Sequence, residues 1–533
     1  MFGLFERRRL IKKGLASPKT RRRLEESEMT ESLRSGMVCR IFIFLGFITG
    51  LATLIYWGTE AQPAEKFFTA LLIFFVAIAQ LWINHPEIYG RNSRLLLLFS
   101  TMLTHLAITK FLIVMARTDK LDLALAEVII PFAFAPLICS VLLGRNAGLY
   151  AALFVSLWGS LVYKGIDAIF LVMSLICGFI AVFVTLEVRR RGRLIRAGIF
   201  VGLATWLLAL GFQKIYIIWE TWPALNWSVI GTLTAGAIGS GIITALVVGG
   251  LVPALESMFG ITTNMSWLEL SDLNHPLLKR MSIEAAGTYH HSLVVASLAE
   301  AAAEAVGANE LICRVGAYFH DIGKLVKPDY FTENIAPGEN PHDDLAPTMS
   351  ALIIISHVKE GVDLALKHKL SREIVDIIRQ HHGNSLVSYF HRRALQQQED
   401  ARAGGKIMNM REQDIPEVRE ESFRYPGPLP QTRECGIISL ADAIESASRS
   451  IEKPTPQKID QLVHDIIESR LLDGQLDDCP LTMRDLNRVS EAFRFSLQNI
   501  LHTRIAYPDD RNKEGRESRE NNRGEGASPA SAA

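Results

Sequence analysis

Hydrophobic residues fill the first half of the chain in long runs, whereas in the second half apolar residues recur every three or four positions, as in a helix with one buried face. Most of the runs contain about 17–22 residues, the length of a helix that crosses a bilayer. The runs cover residues 38–57, 67–84, 95–115, 124–143, 147–163, 166–186, 195–213 and 228–254. The pattern predicts a polytopic helical membrane domain over residues 37–254 with about eight helices. Gly159, in the short fifth run, keeps seven crossings open.

Basic residues fall on one side of this predicted domain. Residues 1–36 contain RRR at 7–9 and 21–23, and RRR recurs at 189–191 in a loop on the same side. Cytoplasmic loops of membrane proteins are enriched in lysine and arginine. An even number of crossings returns the chain to the side on which it began. We therefore expect a multi-pass protein of the inner (cytoplasmic) membrane with both termini in the cytoplasm, and the lipid bilayer as a partner.

The second half of the chain is predicted to be all-helical, because its apolar residues recur every three or four positions and no alternating run is long enough for a sheet. We expect a linker at 255–283, an all-helical cytosolic domain at 284–507 and a disordered tail at 508–533. Within the domain, the polar stretch 394–432, which contains glycine and proline, is predicted to form loops. The overall fold class is therefore all-α.

Composition adds information on possible partners, on the class of protein and on the use of its cysteines. The formal net charge is +0, so bulk charge favours no particular partner, and no nucleic-acid polymer is expected. The mean hydropathy of +0.19 agrees with a membrane protein. The six cysteines are scattered without a CxxC pair, which argues against a disulfide framework or a thiolate zinc site.

Histidines concentrate in one part of the second half, where eight of the 14 lie between residues 290 and 382. The segment HDIGK follows an apolar run, so that His320, Asp321 and Lys324 enter a predicted core, where unpaired charges are costly. The pair HHG at 381–383 ends a predicted helix, and Asp442 lies in an apolar one. Imidazole and carboxylate ligands favour iron, manganese, zinc or cobalt over calcium. Since a carboxylate has two oxygens, Asp321 can bridge two such ions, which together would activate a water against a phosphoryl group.

The order H…HD…H…HH…D is the signature of the HD-domain phosphohydrolases, and the flanking sequences are more specific. LELSDLNHPLLKR (268–280), YFHDIGK (318–324), IRQHHG (378–383) and FRYPGPLPQTRE (423–434) closely resemble the PgpH-type seven-transmembrane HD family. The resemblance covers the membrane part and nearly all of 255–507. Fuller family members carry a large extracellular sensor domain after the first crossing, whereas here that interval is only about TEAQPAEK (59–66). This difference weighs against an external ligand-sensing role.

The resemblance implies a membrane-anchored phosphodiesterase that hydrolyses cyclic di-AMP to pApA by in-line attack of metal-bound hydroxide. Its cofactors would be two divalent transition-metal ions, with manganese or iron favoured. One ion would be held by His291, His320, Asp321 and Asp442, and the other by Asp321, His357, His381 and His382.

Substrate contacts are less specified by the sequence. Lys324 is expected to neutralise phosphate charge and so to act with Asp321 in catalysis, although a cation at a helix end also has a purely structural use. Arg379, Arg424, Tyr425 and Arg449 are further candidates, because guanidinium groups suit phosphate and aromatic rings stack on bases. Two alternatives stay open: hydrolysis of another nucleotide or cyclic dinucleotide, and a membrane receptor that binds nucleotide without hydrolysis. A homodimer also stays open.

Overall fold

The computed structural model describes most of the chain as α-helices joined by short 3-10 turns and connecting segments, and it contains no strand among the residues described. These residues are 36–57, 63–163, 167–185, 192–215, 226–335, 340–407, 417–451 and 454–502. The predicted all-α fold class is confirmed over them. Three features of the sequence lie outside the described residues. They are residues 1–35 of the basic segment, the arginines 189–191 and the tail 508–533.

The chain divides into two compact units, Met1–Glu269 and Leu270–Ala533. The first unit contains α1 Met37–Tyr56, α2 Pro63–Asn84, α3 Asn92–Arg117, α4 Leu123–Val128, α5 Phe134–Leu143, α6 Arg145–Tyr163, α7 Ala168–Val184, α8 Gly192–Gly211, α9 Trp227–Phe259 and α10 Asn264–Leu270, with one helical turn at Pro86–Tyr89. In the described part, α1, α2, α3, α6, α8 and α9 are long and apolar enough to cross a membrane, whereas α5 and α7 are shorter apolar helices.

The fourth predicted membrane segment, 124–143, is not one continuous helix. It is split into α4 and α5 by residues 129–133, which include Pro131. Proline lacks the N–H that a helix interior needs, and it disfavours the α conformation in the residue before it, here Ile130. The apolar composition of the segment concealed this break.

Close backbone packing joins α8 to α9 within the first unit. A Cβ atom added to Gly202 would lie 2.6 Å from the carbonyl oxygen of Ile238, and one added to Gly241 would lie 2.4 Å from that of Gly198. Small residues that let two backbones approach are typical of helix pairs in membranes, where apolar side chains gain nothing by leaving lipid. The glycines of these two predicted crossings therefore mark the surface on which they pack.

The second unit contains α11 Pro276–Glu284, α12 Ala286–Val306, α13 Glu310–Phe319, α14 Pro347–Lys367, α15 Arg372–Gln380, α16 Ser388–Ile407, α17 Arg433–Ser448, α18 Pro456–Leu472 and α19 Met483–His502. Within it, α12 packs against α13, α17 and α19, and α14 packs against α15, α16 and the 3-10 turn Ile322–Val326. The helices of this unit therefore pack around one another through α12, α14 and α17.

The prediction of loops throughout 394–432 is wrong for its first part, because α16 extends to Ile407. The sequence RRALQQQEDARA (392–403) consists of residues with high helix propensity, and propensity summed over such a window favours a helix. Phe390 and Ala394 pack with Phe423 in a small apolar cluster that fixes the N-terminal part of the helix. Polarity alone was therefore a poor guide to a loop.

Candidate metal centre

The seven predicted ligands, which are spread over 152 positions of the sequence, lie together in the second unit. They form two groups whose candidate ligand atoms lie within 4.8 Å of one another. The group called here the inner group consists of His291, His320, Asp321 and Asp442, all buried. The group called the outer group consists of Asp321, His357, His381 and His382, of which His382 is the most exposed, at 18% of its side chain.

Asp321 belongs to both groups, and its two oxygens face different histidines. Its Oδ2 lies 3.2 Å from Nε2 of His320 and 3.5 Å from Nε2 of His291. Its Oδ1 lies 3.3 Å from Nε2 of His357 and 3.7 Å from Nε2 of His381. This is the arrangement that a carboxylate needs if it is to bridge two cations.

Asp442 completes the inner group from α17. Its Oδ1 lies 3.1 Å from Nε2 of His291 and 3.8 Å from Nε2 of His320. Its Oδ2 lies 3.6 Å from Nδ1 of His382 in the outer group. Both aspartates therefore lie between the two sets of imidazoles.

Backbone carbonyl groups orient three of the five histidine rings. The Nδ1 of His320 is 2.7 Å from the carbonyl oxygen of Ala317, that of His357 is 2.6 Å from Ile354, and that of His381 is 2.8 Å from Ile378. Each acceptor is the carbonyl oxygen three residues earlier in the chain, and all three lie within helices. Since a carbonyl only accepts, Nδ1 carries the proton in a neutral ring, and Nε2 is left with a lone pair that faces Asp321.

Burial and mutual charge set the protonation of the cluster. Burial alone would raise the pKa of Asp321, but His320 and Lys324 hold it well below its usual value. Burial would lower the pKa of His320, but Asp321 and Asp442 raise it to about 10. Burial together with His320 lowers the pKa of His381 to about 3. The low pKa values of Asp321 and Asp442 keep both carboxyl groups ionised and His381 is neutral, which are the forms that bind metal ions. His320, by contrast, is protonated and has to release a proton when a cation binds.

Two buried polar atoms at the centre of the cluster have no hydrogen-bond partner among the described residues: Nε2 of His320 and Oδ1 of Asp321. Such atoms cost about 1–3 kcal/mol when they are left unsatisfied. Both face the space between the imidazoles and carboxylates of their groups. A divalent cation in each group would satisfy them, and nitrogen and oxygen donors of this kind suit transition-metal ions. The residues present therefore fit the divalent metals that HD domains bind.

Lys324 lies beside the bridging aspartate. Its Nζ is 2.8 Å from Oδ2 of Asp321 and 2.8 Å from Oε1 of Glu333, and 13% of its side chain is exposed. Burial would lower the pKa of Lys324, but the two carboxylates raise it, so the ammonium stays charged. Two of its three N–H donors are used in this way.

The predicted substrate residues differ in their distance from the cluster. The ring of Tyr425 stacks on His382 with centroids 4.3 Å apart, and 8% of the residue is exposed. Arg424 instead forms ion pairs with Glu420 at 2.7 Å and Asp473 at 3.2 Å. Arg379 lies half-buried in the last turn of α15. Of these three, only Tyr425 is shown in contact with a predicted ligand.

Two glutamates in contact with the cluster were missed by the sequence analysis. Glu333 binds Lys324, and it also accepts a hydrogen bond from the hydroxyl of Thr288 at 2.9 Å. Glu445 lies one turn after Asp442 on α17, and its Oε2 is hydrogen-bonded to Nδ1 of His291. Its Oε1 accepts from Arg449 at 2.8 and 2.9 Å. Arg449 therefore reaches the cluster through Glu445.

Comparison with known proteins finds a family model that matches residues of each unit. Residues 64–263 match the family described as a 7TM receptor with intracellular HD hydrolase, and residues 288–447 match the HD domain family. The chain is 36% identical over 453 residues to the cyclic-di-AMP phosphodiesterase PgpH of Bacillus subtilis (strain 168), which covers 84% of this chain and 60% of the relative. It is 34% identical over 465 residues to the protein of the same name from Listeria monocytogenes serotype 1/2a (strain 10403S), with coverage of 85% and 60%.

A solved structure is also similar, the HD domain of the L. monocytogenes phosphodiesterase PgpH in complex with cyclic-di-AMP. It is 43% identical, covers 43% of this chain and 98% of the solved chain, and superposes with a TM-score of 0.38. The chain spans 60% of the length of the two curated relatives that it matches.

Proposed function

The chain belongs to the family of 7TM receptors with an intracellular HD hydrolase, which are multi-pass membrane proteins, and from this premise we propose that it is a membrane-anchored, di-metal phosphodiesterase. Its proposed substrate is cyclic di-AMP and its product is pApA. The support for this substrate is the name of the two curated relatives, each of which is a cyclic-di-AMP phosphodiesterase. The residues of the cluster support the reaction class.

The observation that carries the proposal is the division of Asp321 between the two groups. One of its oxygens faces His291 and His320, and the other faces His357 and His381. A structural ion pair in a core would need one histidine or one cation beside this carboxylate. Four imidazoles around a single buried aspartate are better explained by two cations that share it.

We propose manganese or iron as the two ions, held by the inner and outer groups. When bound, such a pair supplies an activated water and neutralises charge on the phosphoryl group. The histidines and aspartates would fix the positions of the ions, and backbone carbonyls orient the rings of His320, His357 and His381 so that Nε2 of each faces the cluster. We propose that the remaining N–H donor of Lys324 binds a phosphate oxygen, so that negative charge that develops there is stabilised at a buried ammonium group.

Among the proposed substrate contacts, Lys324 and Tyr425 stand first because both touch predicted ligands. Arg424 and Arg379 stand second. The guanidinium of Arg424 already has two carboxylate partners, and a phosphate would have to compete with them. We also propose that both termini and the catalytic unit are cytoplasmic, in the inner membrane, on the basis of the basic residues near the N-terminus and at 189–193. A homodimer stays a prediction.

The test uses the full chain in lipid nanodiscs loaded with Mn²⁺ or, under anaerobic conditions, with Fe²⁺. Cyclic di-AMP, cyclic di-GMP and a linear dinucleotide are supplied separately, and products are separated by chromatography. We expect pApA from cyclic di-AMP, and no product with Asp321→Asn. If the protein holds two ions and hydrolyses another nucleotide but no cyclic di-AMP, the substrate is wrong. If it binds cyclic di-AMP tightly with no turnover, and Asp321→Ala leaves that affinity intact, it is a receptor and the enzyme proposal fails.

A further inference from the structure

His291 is held differently from the other oriented histidines of the cluster. Its Nδ1 is hydrogen-bonded to a side chain, the carboxylate of Glu445, whereas His320, His357 and His381 each use a backbone carbonyl. Glu445 is nearly inaccessible, with 6% of its side chain exposed. A buried carboxylate is costly unless it is paired, so its position beside the ring calls for a specific explanation.

We infer that Glu445, itself fixed by Arg449, is a positioning residue for His291 and selectively strengthens the binding of the ion in the inner group. This inference rests on the proposed function only in so far as that function requires two ions in the cluster. A carboxylate on the far nitrogen of a ligating histidine fixes the tautomer and the ring orientation, and it makes the other nitrogen a better electron donor to a cation.

The contacts of Glu445 divide cleanly between its two oxygens. Oε2 meets His291, while Oε1 accepts from both Nε and Nη2 of Arg449, one turn later on the same helix. The guanidinium thus holds one oxygen and thereby directs the other to the ring. Arg449, which the sequence placed among the phosphate contacts, has two of its nitrogens engaged in this role.

The charge distribution makes the effect one-sided. The inner group has two ligand carboxylates, Asp321 and Asp442, and Glu445, which is paired with Arg449, contacts the far nitrogen of His291. The outer group shares Asp321 and otherwise offers three imidazoles. The inner position thus has two carboxylate ligands against one at the outer position, and one of its histidines is also backed by a carboxylate. The inner ion should bind more tightly and fill first, and loss of Glu445 should affect it much more than the outer ion.

The experiment is a metal titration of the full chain in detergent, first stripped by chelator. Co²⁺ serves as the probe, because its visible absorption reports the ligand environment of each ion, and elemental analysis gives the number of ions bound. For the wild type we expect two steps. Glu445→Gln keeps the shape and an acceptor oxygen but loses the charge, and we expect the tighter step to weaken by about 10- to 100-fold while the other stays unchanged.

Arg449→Met leaves Glu445 in place and should weaken the same step by a smaller factor. The combined variant should then lose less than the two effects multiplied, because both act through one contact. Glu284→Gln is the matched control, since Glu284 is also paired with an arginine four residues away, Arg280, but is exposed and outside the cluster. It should titrate as the wild type does.

Unchanged titration of Glu445→Gln, or equal weakening of both steps, would overturn the inference, because a purely structural role would disturb both ions alike. If Glu445→Gln does not fold, the same criterion applies to Arg449→Met. No step of this test uses substrate. A wild-type protein that binds two ions in two steps but hydrolyses no cyclic dinucleotide would therefore end the proposed function and leave the role of Glu445 standing.

Discussion

Gly323, in the segment HDIGK, lies where the turn after α13 touches the backbone of α14. A Cβ atom added to it would lie 1.8 Å from the carbonyl oxygen of His357 and 2.5 Å from the backbone nitrogen of Gly361. Neither atom belongs to a side chain that could rotate away. We predict that Gly323→Ala separates the turn from α14. The substitution therefore moves Asp321 away from His357, whose Nε2 lies 3.3 Å from Oδ1 of Asp321.

The magnitude follows from these distances. An ordinary Cβ contact begins at 3.4 Å, and the shorter of the two contacts falls 1.6 Å below it. Added methyl groups in a packed core cost about 1–3 kcal/mol when side chains can adjust, and occasionally more. Because the obstruction here is backbone, we expect a loss of at least about 3 kcal/mol in the free energy of unfolding of the second unit. Displacement of about 1 Å at Asp321 should also remove most of the bound metal.

The assay is unfolding of the full chain followed by scanning fluorimetry, together with elemental analysis of the metal retained after desalting. Gly361→Ala is the graded control: its added Cβ would meet Cγ2 of the Ile378 side chain, which can change rotamer, at 2.9 Å, and the backbone nitrogen of Gly323 at 3.3 Å, close to an ordinary contact. We expect a small loss for Gly361→Ala and a large one for Gly323→Ala. Wild-type stability and two bound ions in Gly323→Ala would refute the reasoning.

Three further predictions address the surroundings of the site and the membrane unit. Lys324→Met should lower the turnover number by about 10²-fold or more, because a preorganised donor is lost, and wild-type turnover measured in single-turnover kinetics would contradict this. Tyr425→Phe should keep both ions, since the stack on His382 needs only the ring. Tyr425→Ala should destabilise the second unit by about 3–5 kcal/mol in thermal unfolding. Equal behaviour of the two variants would contradict this prediction. Gly202→Leu should prevent α8 from packing on α9 and reduce the yield of monodisperse protein in detergent, whereas Gly250→Leu, where an added Cβ meets nothing within 4 Å, should not; equal yields would count against the packing described.

Some of the metal ligands could be recognised because their sequence context conflicts with ordinary burial, whereas the complete set of seven came from the resemblance to the HD family. His320 and Asp321 directly follow the apolar end of α13, and Asp442 lies inside an otherwise apolar helix. Titratable side chains at such positions need partners, and the need for partners points to the other histidines. The structure brings these residues together, which the sequence could only suggest.

The partners behind the ligands could not be predicted in the same way. Glu445 and Arg449 are spaced as in an exposed ion pair on a helix surface, where such pairs are common and contribute little. Nothing in their spacing indicates that Glu445 is buried against His291, a residue 154 positions away. Glu333 follows Lys324 by nine positions in a segment without helical periodicity, so its contact with the lysine depends on the path of the loop.

For the membrane helices, too, one structural feature could not be predicted from the sequence pattern. Hydropathy identified the apolar segments, and six helices of the described residues have the length and composition of a membrane span. The break between α4 and α5 depends on one residue, Pro131, whose effect on the backbone does not change the mean hydropathy of its segment. Composition over a window therefore predicts that a segment is apolar more reliably than that it is one helix.

The central claim is that seven side chains, which lie in or directly after five helices, hold two ions with Asp321 between them. Anomalous X-ray diffraction from crystals of the manganese-loaded full chain, measured on either side of the manganese absorption edge, tests it most directly. The account predicts two peaks per chain in the second unit, one on each side of the Asp321 carboxylate, with histidines of the inner group around one and of the outer group around the other. A single peak, or peaks remote from Asp321, would contradict it.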